Sequence, residues 1–557
     1  MAVVDLKKIP INIASINQDR FTYILLGLAI LLTGIAHIAF LPPFEGFDEI
    51  GHYSYIREIV DTGKLPIQGK SHLAQEIIDY RHQAPIHYIV DKKFFKDESI
   101  TYADFFKSKE LQDNFRKQYL GNKTHPLFQP SEYQNWIAIH PPLYYLILSP
   151  IMMATDSLSL KAQFFVLRSI SFLLALSGLM IAWRSTLAHA APNLKKYINK
   201  AFFLYPIIVP MFFVEFGRVG SDSLCLFLLA IAWGLFLEWL KTEQKTSLNL
   251  ALGFCLALGL LTKGFFIPII AGFGAFAACF FWNKRKQKEF VRAKLNDLIV
   301  VSGPVFFAFI WYILKLSSTG SLVGHPAFIE ITEKKNILQF ITQDFEWMQF
   351  IKHILHLFIS WTGIYTQSCA KMPMIFFAPP VVLCLALFSA YFLQNRKRRL
   401  SDLACFPCWV IAPMAAGLLI NILAFMALYN SDSATPGWYL HILAPAFAMM
   451  FAYSFLYFAP RKEERAVIFL LLLYSPFYFA INLFYRISLY AGCSTLNDNR
   501  EYIFPNAYLC LDQVPLIFSN LELLGWPFVG LILLIAGTII SYAGLWRLER
   551  ISKEKSN

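Results

Sequence analysis

The chain has 557 residues, of which 57% are apolar and only 15% charged, with a formal net charge of +12. Its mean hydropathy is +0.49. A soluble domain of this size needs more charge to cover its surface, so the composition excludes a soluble enzyme and a soluble nucleic-acid-binding domain.

In chain order, residues 1–20 form a polar leader carrying Lys7, Lys8 and Arg20. No small-residue cleavage site follows the first apolar run, so the leader reads as cytoplasmic rather than as a cleavable signal. Apolar runs long enough to cross a bilayer then recur. The spanning-length rule predicts about twelve crossings, near 21–41, 163–186, 200–216, 219–239, 248–262, 264–282, 299–316, 372–394, 403–428, 438–459, 466–486 and 524–546. Residues 1–20, 191–200, 241–245, 283–294, 395–399, 461–465 and 547–555 are basic, and the positive-inside rule places them in the cytoplasm with both termini. Segments 42–139, 317–352, 429–436 and 486–521 then fall outside. Residues 140–154 and 354–365 are apolar, yet as lone crossings each would invert a basic loop. They read as surface-lying or re-entrant helices, which line cavities where they occur. The fold class expected is an all-α polytopic membrane protein.

Segment 42–139 is long for a loop between crossings, which points to function. It holds helix-like amphipathic pieces near 50–60, 102–118 and 131–136. There are no repeats and no flexible linker.

Phe47-Asp48-Glu49-Ile50-Gly51-His52-Tyr53 follows the first crossing. Ionisable groups beside hydrocarbon are costly and therefore functional candidates. Asp48 and His52, four apart, share a helix face. The bland alternative is a helix start with acids at its positive dipole end. His140-Pro141-Pro142-Leu143-Tyr144-Tyr145 closes the same loop, with prolines that can start a helix. Arg168 lies near the outer end of the second crossing. Glu215-Phe216-Gly217-Arg218-Val219-Gly220-Ser221-Asp222 is a charged hairpin whose bland reading is a local Arg–Asp pair. Leu261-Thr262-Lys263-Gly264 turns at the same face, where a lysine can simply snorkel to water. No single motif decides; their convergence on one face does. Carboxylates from the first loop and cations from later turns are what a transfer with a phosphate leaving group needs.

In order and rough spacing, Asp48-Glu49, His140-Pro141-Pro142-Leu143-Tyr144-Tyr145, Arg168, Ser221-Asp222-Ser223-Leu224 after a proline-bearing helix, and Leu261-Thr262-Lys263-Gly264 resemble the GT-C class of membrane glycosyltransferases over residues 20–265. The likeness is closest to protein O-mannosyltransferases and the bacterial transferases that add aminoarabinose to lipid A. Pro436-Gly437-Trp438-Tyr439-Leu440 is a weaker echo, with Trp438 where many relatives carry Arg. The resemblance implies a GT-C-like fold with a catalytic core over 1–265, including loop 42–139, and a C-terminal transmembrane region over 266–557. It implies transfer of a sugar from a polyprenyl-phosphate carrier to a glycan, lipid or protein acceptor at the non-cytoplasmic face. A bacterial inner membrane, with the site facing the periplasm or exterior, is the expected location. Asp48 is the expected base, with Glu49 positioning the acceptor or tuning Asp48. Arg168, Arg218 and Lys263 are expected at the carrier phosphate, with Asp222, His52 and His140 supporting substrate. No cofactor is expected; a divalent ion held by carboxylates and His is the less favoured option.

Two other classes fit parts of the pattern. A secondary transporter or lipid-linked-saccharide flippase shares the crossing count, but transporters show repeats and midplane charges. A scaffolding protein would explain the long loop but not the cations at the same face. Of the nine cysteines, Cys493 and Cys510 share the loop 486–521 and are expected to form a disulfide. The ring, about 18 residues long, would add roughly 3 kcal/mol in the chain-entropy view.

Overall fold

The computed structural model describes residues 13–86, 100–120, 125–242, 245–320, 345–362, 378–429, 436–458, 484, 487–493 and 514–554. Helix α1 (Ile13–Ala39) leads into a layer built by the long first loop over the helix ends. That layer holds α2 (Glu49–Thr62), β1 (His72–Ala74), α3 (Gln75–Arg81), α4 (Tyr102–Lys107), α5 (Lys109–Tyr119), β2 (Pro130–Gln134) and a 3-10 turn at Trp136–Ile139. The helical body continues through α6 (Leu143–Ala154), α7 (Leu160–His189), α8 (Pro192–Ile208), α9 (Met211–Phe216), α10 (Asp222–Trp239), α11 (Thr246–Leu260), α12 (Phe266–Asn283) and α13 (Lys288–Thr319). It is completed by α14 (Trp347–Thr362), α15 (Ala378–Asn395), α16 (Phe406–Tyr429), a 3-10 turn at Gly437–Leu443, α17 (Ala444–Phe458), α18 (Val514–Leu524) and α19 (Pro527–Glu554).

Among the described residues, nine helices are long and apolar enough to cross a membrane. They correspond to nine of the expected crossings. Of the other three, 466–486 lies mostly outside the described residues. The expected crossing at 248–262 is α11, with 15 residues. The crossing expected at 200–216 is corrected: Val209 and Pro210 break it into α8 and α9, and α8 already starts at Pro192 inside the basic segment. Helix α6, with 12 residues, is too short to span at about 1.5 Å per residue. Helix α14 has 16 residues and extends the expected surface segment toward its N-terminus.

Small residues let these helices approach without a hydrophobic drive between them. Helices α1 and α19 run side by side, and a Cβ at Gly537 would stand 2.9 Å from Thr33 Oγ1. At Gly178 of α7, a Cβ would stand 2.8 Å from the Phe227 backbone of α10.

The loop layer is cemented by buried polar groups, which must be paired to be tolerated. Arg57 meets Asp61 at 3.0 Å and also Asp156, while Phe128 N donates to Asp61 at 2.6 Å. His125 meets Glu76 at 2.6 Å, and Tyr53 OH donates to the same carboxylate at 2.9 Å. The helical piece expected at 131–136 is instead strand β2, antiparallel to β1 with His72 opposite Gln134. Cross-strand pairing outweighed a weak local preference in so short a segment.

Among the described residues, the basic segments gather at one end of the body. Lys294 donates to the Trp239 and Thr242 carbonyls there, Asn283 donates to Ser401, and Arg547 lies over the Phe21 ring. The loop layer and the turns carrying Arg218 and Lys263 lie at the other end.

Candidate functional site

The chain leaves α1 through Pro42-Pro43 and enters a tight turn. Phe44 and Asp48 both adopt positive φ, at 66° and 56°. Neither is glycine, and such backbone outliers cluster at functional sites. Asp48 caps the N-terminus of α2, and its carbonyl accepts from His52 N at 3.1 Å. Its carboxylate accepts from Trp136 Nε1 at 3.1 Å. Asp48 is half-buried, whereas Glu49 is fully buried.

Glu49 is bound on all sides. Its Oε1 accepts from Arg168 Nε at 2.8 Å and from Val219 N at 2.8 Å. Its Oε2 accepts from Arg168 Nη2 at 2.6 Å and from Gly46 N at 2.8 Å. Gly46 is required there, because a Cβ would stand 2.3 Å from the Glu49 carboxyl carbon. Arg168 also donates to the Leu41 and Pro42 carbonyls. The guanidinium is therefore tied to the turn that presents Asp48. Glu49 and Arg168 thus anchor each other and the turn that presents Asp48.

A second buried cluster stands beside the first. Arg218 donates to Glu215 from Nε at 3.2 Å and again from Nη2, to Asp222 at 3.2 Å, and to the Phe47 carbonyl at 2.9 Å. Lys263 Nζ donates to both Asp222 oxygens, at 2.9 and 2.8 Å. The ammonium also lies 4.6 Å from the Phe265 ring centre and 5.0 Å from that of Tyr439. The two cations thus face two carboxylates, as buried charges must. The Phe47–Arg218 bond joins this cluster to the peptide adjoining Asp48.

His52 and His140 complete the group. Their rings stack with centroids 6.1 Å apart, and His52 Nδ1 shares a hydrogen bond with Tyr145 OH at 2.9 Å. Burial pushes the His52 imidazole well below its ordinary range, and the charges of Arg218, His140 and Lys263 push the same way. His52 is therefore held neutral. The Phe47 and Trp438 rings meet edge to face, with centroids 4.6 Å apart.

The structure therefore brings Asp48, Glu49, His52, His140, Arg168, Arg218, Asp222 and Lys263 to one end of the helical body. Two contributors had no signal of their own in the sequence. Trp136, between a strand and a turn, was unremarkable until its indole met Asp48. Lys315 sits in an apolar helix, and its ammonium donates to the Ile139 carbonyl beside His140. Among the described residues, no three His, Cys, Asp or Glu side chains group as metal ligands. Cys493 is disulfide-bonded; Cys510, its expected partner, lies outside the described residues. Cys405 and Cys408 are free thiols.

Residues 30–428 match a family described as predicted membrane protein (DUF2142). The chain belongs to this family. With the nine apolar helices, membership makes the chain an integral, multi-pass membrane protein. Among curated proteins, none matches the chain in sequence.

Solved structures similar to this family member include ArnT from Cupriavidus metallidurans bound to undecaprenyl phosphate. It is 12% identical, with 96% of this chain and 77% of that chain covered and a TM-score of 0.45. The Archaeoglobus fulgidus oligosaccharyltransferase in the apo form is 14% identical, with 94% and 56% covered and a TM-score of 0.37.

Proposed function

We propose that the protein is a glycosyltransferase that moves a sugar from a polyprenyl-phosphate carrier to an acceptor hydroxyl, with Asp48 as general base. One observation carries this reading. Asp48 is a half-buried carboxylate on a left-handed backbone, and the cation-bearing cluster of Arg218 and Lys263 is joined to it through Phe47. In the reaction, the acceptor hydroxyl gives its proton to Asp48 as its oxygen bonds to the anomeric carbon. The bond from that carbon to the phosphate oxygen breaks, and the phosphate leaves with the electron pair. Cations at the site offset the charge that develops on it. Glu49 and Arg168 hold the turn in shape, and neutral His52, with the His140 ring stacked beside it, borders the acceptor side. We favour a metal-independent reaction because these cations can take up the leaving-group charge.

The site lies at the end of the body opposite the basic segments. With the positive-inside rule, this supports our reading of a site at the non-cytoplasmic face; the membrane we infer is a bacterial inner membrane, with the site toward the periplasm or exterior.

The test is a transfer assay on the purified full-length protein with a panel of polyprenyl-phosphate sugars. Wild type should release free polyprenyl phosphate in the presence of acceptor extract. Asp48→Asn should lower the rate by about 10²–10⁴ at unchanged fold. Near-normal turnover by Asp48→Asn refutes the base assignment, and no turnover with any donor refutes the transferase.

A further inference from the structure

A buried ammonium without a counter-charge is costly, so the charge balance around each buried cation is informative. Arg57, Arg168, Arg218, Lys263 and Lys294 are buried, and each meets a carboxylate. Lys315 is an exception. It is only 9% exposed, and among the described residues no carboxylate forms an ion pair with it. The ammonium has three donors. Among the described residues its one hydrogen bond runs to the Ile139 carbonyl, and the ammonium lies 6.0 Å from the Trp311 ring centre.

The place of this cation is well defined. Val301, Ala308, Tyr312 and Lys315 form the buried stripe of α13, and Lys315 ends it. Three ties bring that end to the site. Tyr312 OH donates to the Leu260 carbonyl at 2.7 Å, directly before the turn that carries Lys263 at its tip. Leu143 N donates to the Leu261 carbonyl at 3.1 Å. Lys315 itself grips the last residue of the turn Trp136–Ile139, whose first residue donates to Asp48. One short turn therefore separates the carboxylate of Asp48 from a cation that meets no carboxylate among the described residues, and His140 follows directly.

The other side of α13 faces outward and is apolar. Phe307 is 73% and Leu314 63% exposed. An isoprenoid chain lying on that face in the bilayer would bring its phosphate to the end of the helix. A free phosphate gains nothing from such a surface.

We propose that Lys315 is the counter-charge for the phosphate of the lipid carrier, reached along the outward face of α13. Arg218 and Lys263, each paired with a carboxylate, add their field at the same end of the body, and Lys315 supplies the charge unpaired among the described residues. This assignment rests on the transferase reading.

The experiment measures binding of polyprenyl phosphate and of the matching uncharged polyprenol to the full-length protein in nanodiscs made without anionic lipid. Wild type, Lys315→Met and Lys315→Arg are compared, with inorganic phosphate and phosphatidylglycerol as competitors. Loss of one charge-assisted contact should weaken phosphate binding by about ten- to a hundredfold in Lys315→Met. Polyprenol binding should not change, and Lys315→Arg should recover most of the affinity. A variant that merely lost the Ile139 contact would bind both ligands more weakly, and that result overturns the proposal. So does equal phosphate affinity in wild type and Lys315→Met, which leaves the transferase intact. Competition by inorganic phosphate or phosphatidylglycerol as strong as that of polyprenyl phosphate overturns the lipid-carrier assignment. Absence of polyprenyl phosphate binding in wild type sinks the transferase, and this assignment with it.

Discussion

Replacing Glu49 by Gln separates a structural carboxylate from a catalytic one. Each Glu49 oxygen accepts one bond from Arg168 and one from a backbone N–H, of Val219 on one side and Gly46 on the other. An amide has a single acceptor oxygen. Whichever way it turns, its NH₂ faces one guanidinium N–H and one backbone N–H. An orphaned buried donor costs about 1–3 kcal/mol. Arg168, 1% exposed, also loses its counter-charge. Breaking a buried pair from one side costs about 3–5 kcal/mol in all. That is about a hundredfold to a few thousandfold in the folded-to-unfolded ratio.

The assay is thermal or denaturant unfolding of the detergent-solubilised full-length protein, with exposed Glu132→Gln as control. Glu49→Gln should be clearly destabilised, and the double variant Glu49→Gln/Arg168→Met should regain part of the loss, because it removes the unpaired charge. A Glu49→Gln protein that unfolds with the control, yet has lost transfer, would refute the structural role and return Glu49 to the chemistry.

Asp48→Gly should fold as well as wild type, to within about 1 kcal/mol, because glycine adopts positive φ freely; it should nonetheless lose transfer, and a large drop in stability would contradict the strained-cap reading. Asp222→Asn should leave Lys263 and Arg218 under-compensated and lower the unfolding temperature more than the Glu132→Gln control does; an unchanged melting curve would deny that the cluster is a buried ion network. For His52 the sign is fixed by its lowered pKa: the fold prefers neutral imidazole, so stability is present above the ordinary value of 6.5 and is lost as pH falls below it. His52→Gln should flatten that acid dependence in unfolding measurements from pH 7 to 5, and an identical slope in both proteins would place the titration elsewhere.

Much of the site was legible because charge in an apolar chain is conspicuous. Asp48, Glu49, Arg218, Asp222 and Lys263 each interrupt or border hydrocarbon-like sequence, and topology alone collects them at one face. Which cation pairs with which anion was not legible. Glu49 and Arg168 are 119 residues apart. Their pairing depends on how the turn at 42–48 lies against α7, which no local pattern encodes. Lys315 carries no such signal, for a related reason. Near the end of a crossing a lysine reads as a snorkelling anchor, and only packing against the Ile139 turn turns it inward. The nine crossings found among the described residues followed from hydropathy because the bilayer fixes their length. The segment 200–216 did not, since the break at Val209 and Pro210 re-aims the chain into the short helix that carries Glu215.

The two neighbouring carboxylates at 48 and 49 raise the question of how one turn assigns them opposite tasks. Both precede or begin α2, so both sit near its positive end, and the helix dipole does not distinguish them. The backbone does. Asp48 takes a left-handed conformation and Glu49 is the first residue of the helix proper. The chain direction therefore changes between them, and the side chains meet different neighbours: Trp136 for Asp48, and Arg168 with two backbone amides for Glu49. The burial of Glu49 is compensated by four donors, so its charge is neutralised in place. Asp48 keeps partial access to solvent, and with it access to a substrate proton. The cost of the left-handed cap is then intelligible as the means of exposing one carboxylate while its neighbour anchors the turn. A proline-bound, glycine-relieved turn is rigid enough to hold that split, which is why Gly46, crowded against Glu49, belongs to the site as much as the charged residues do.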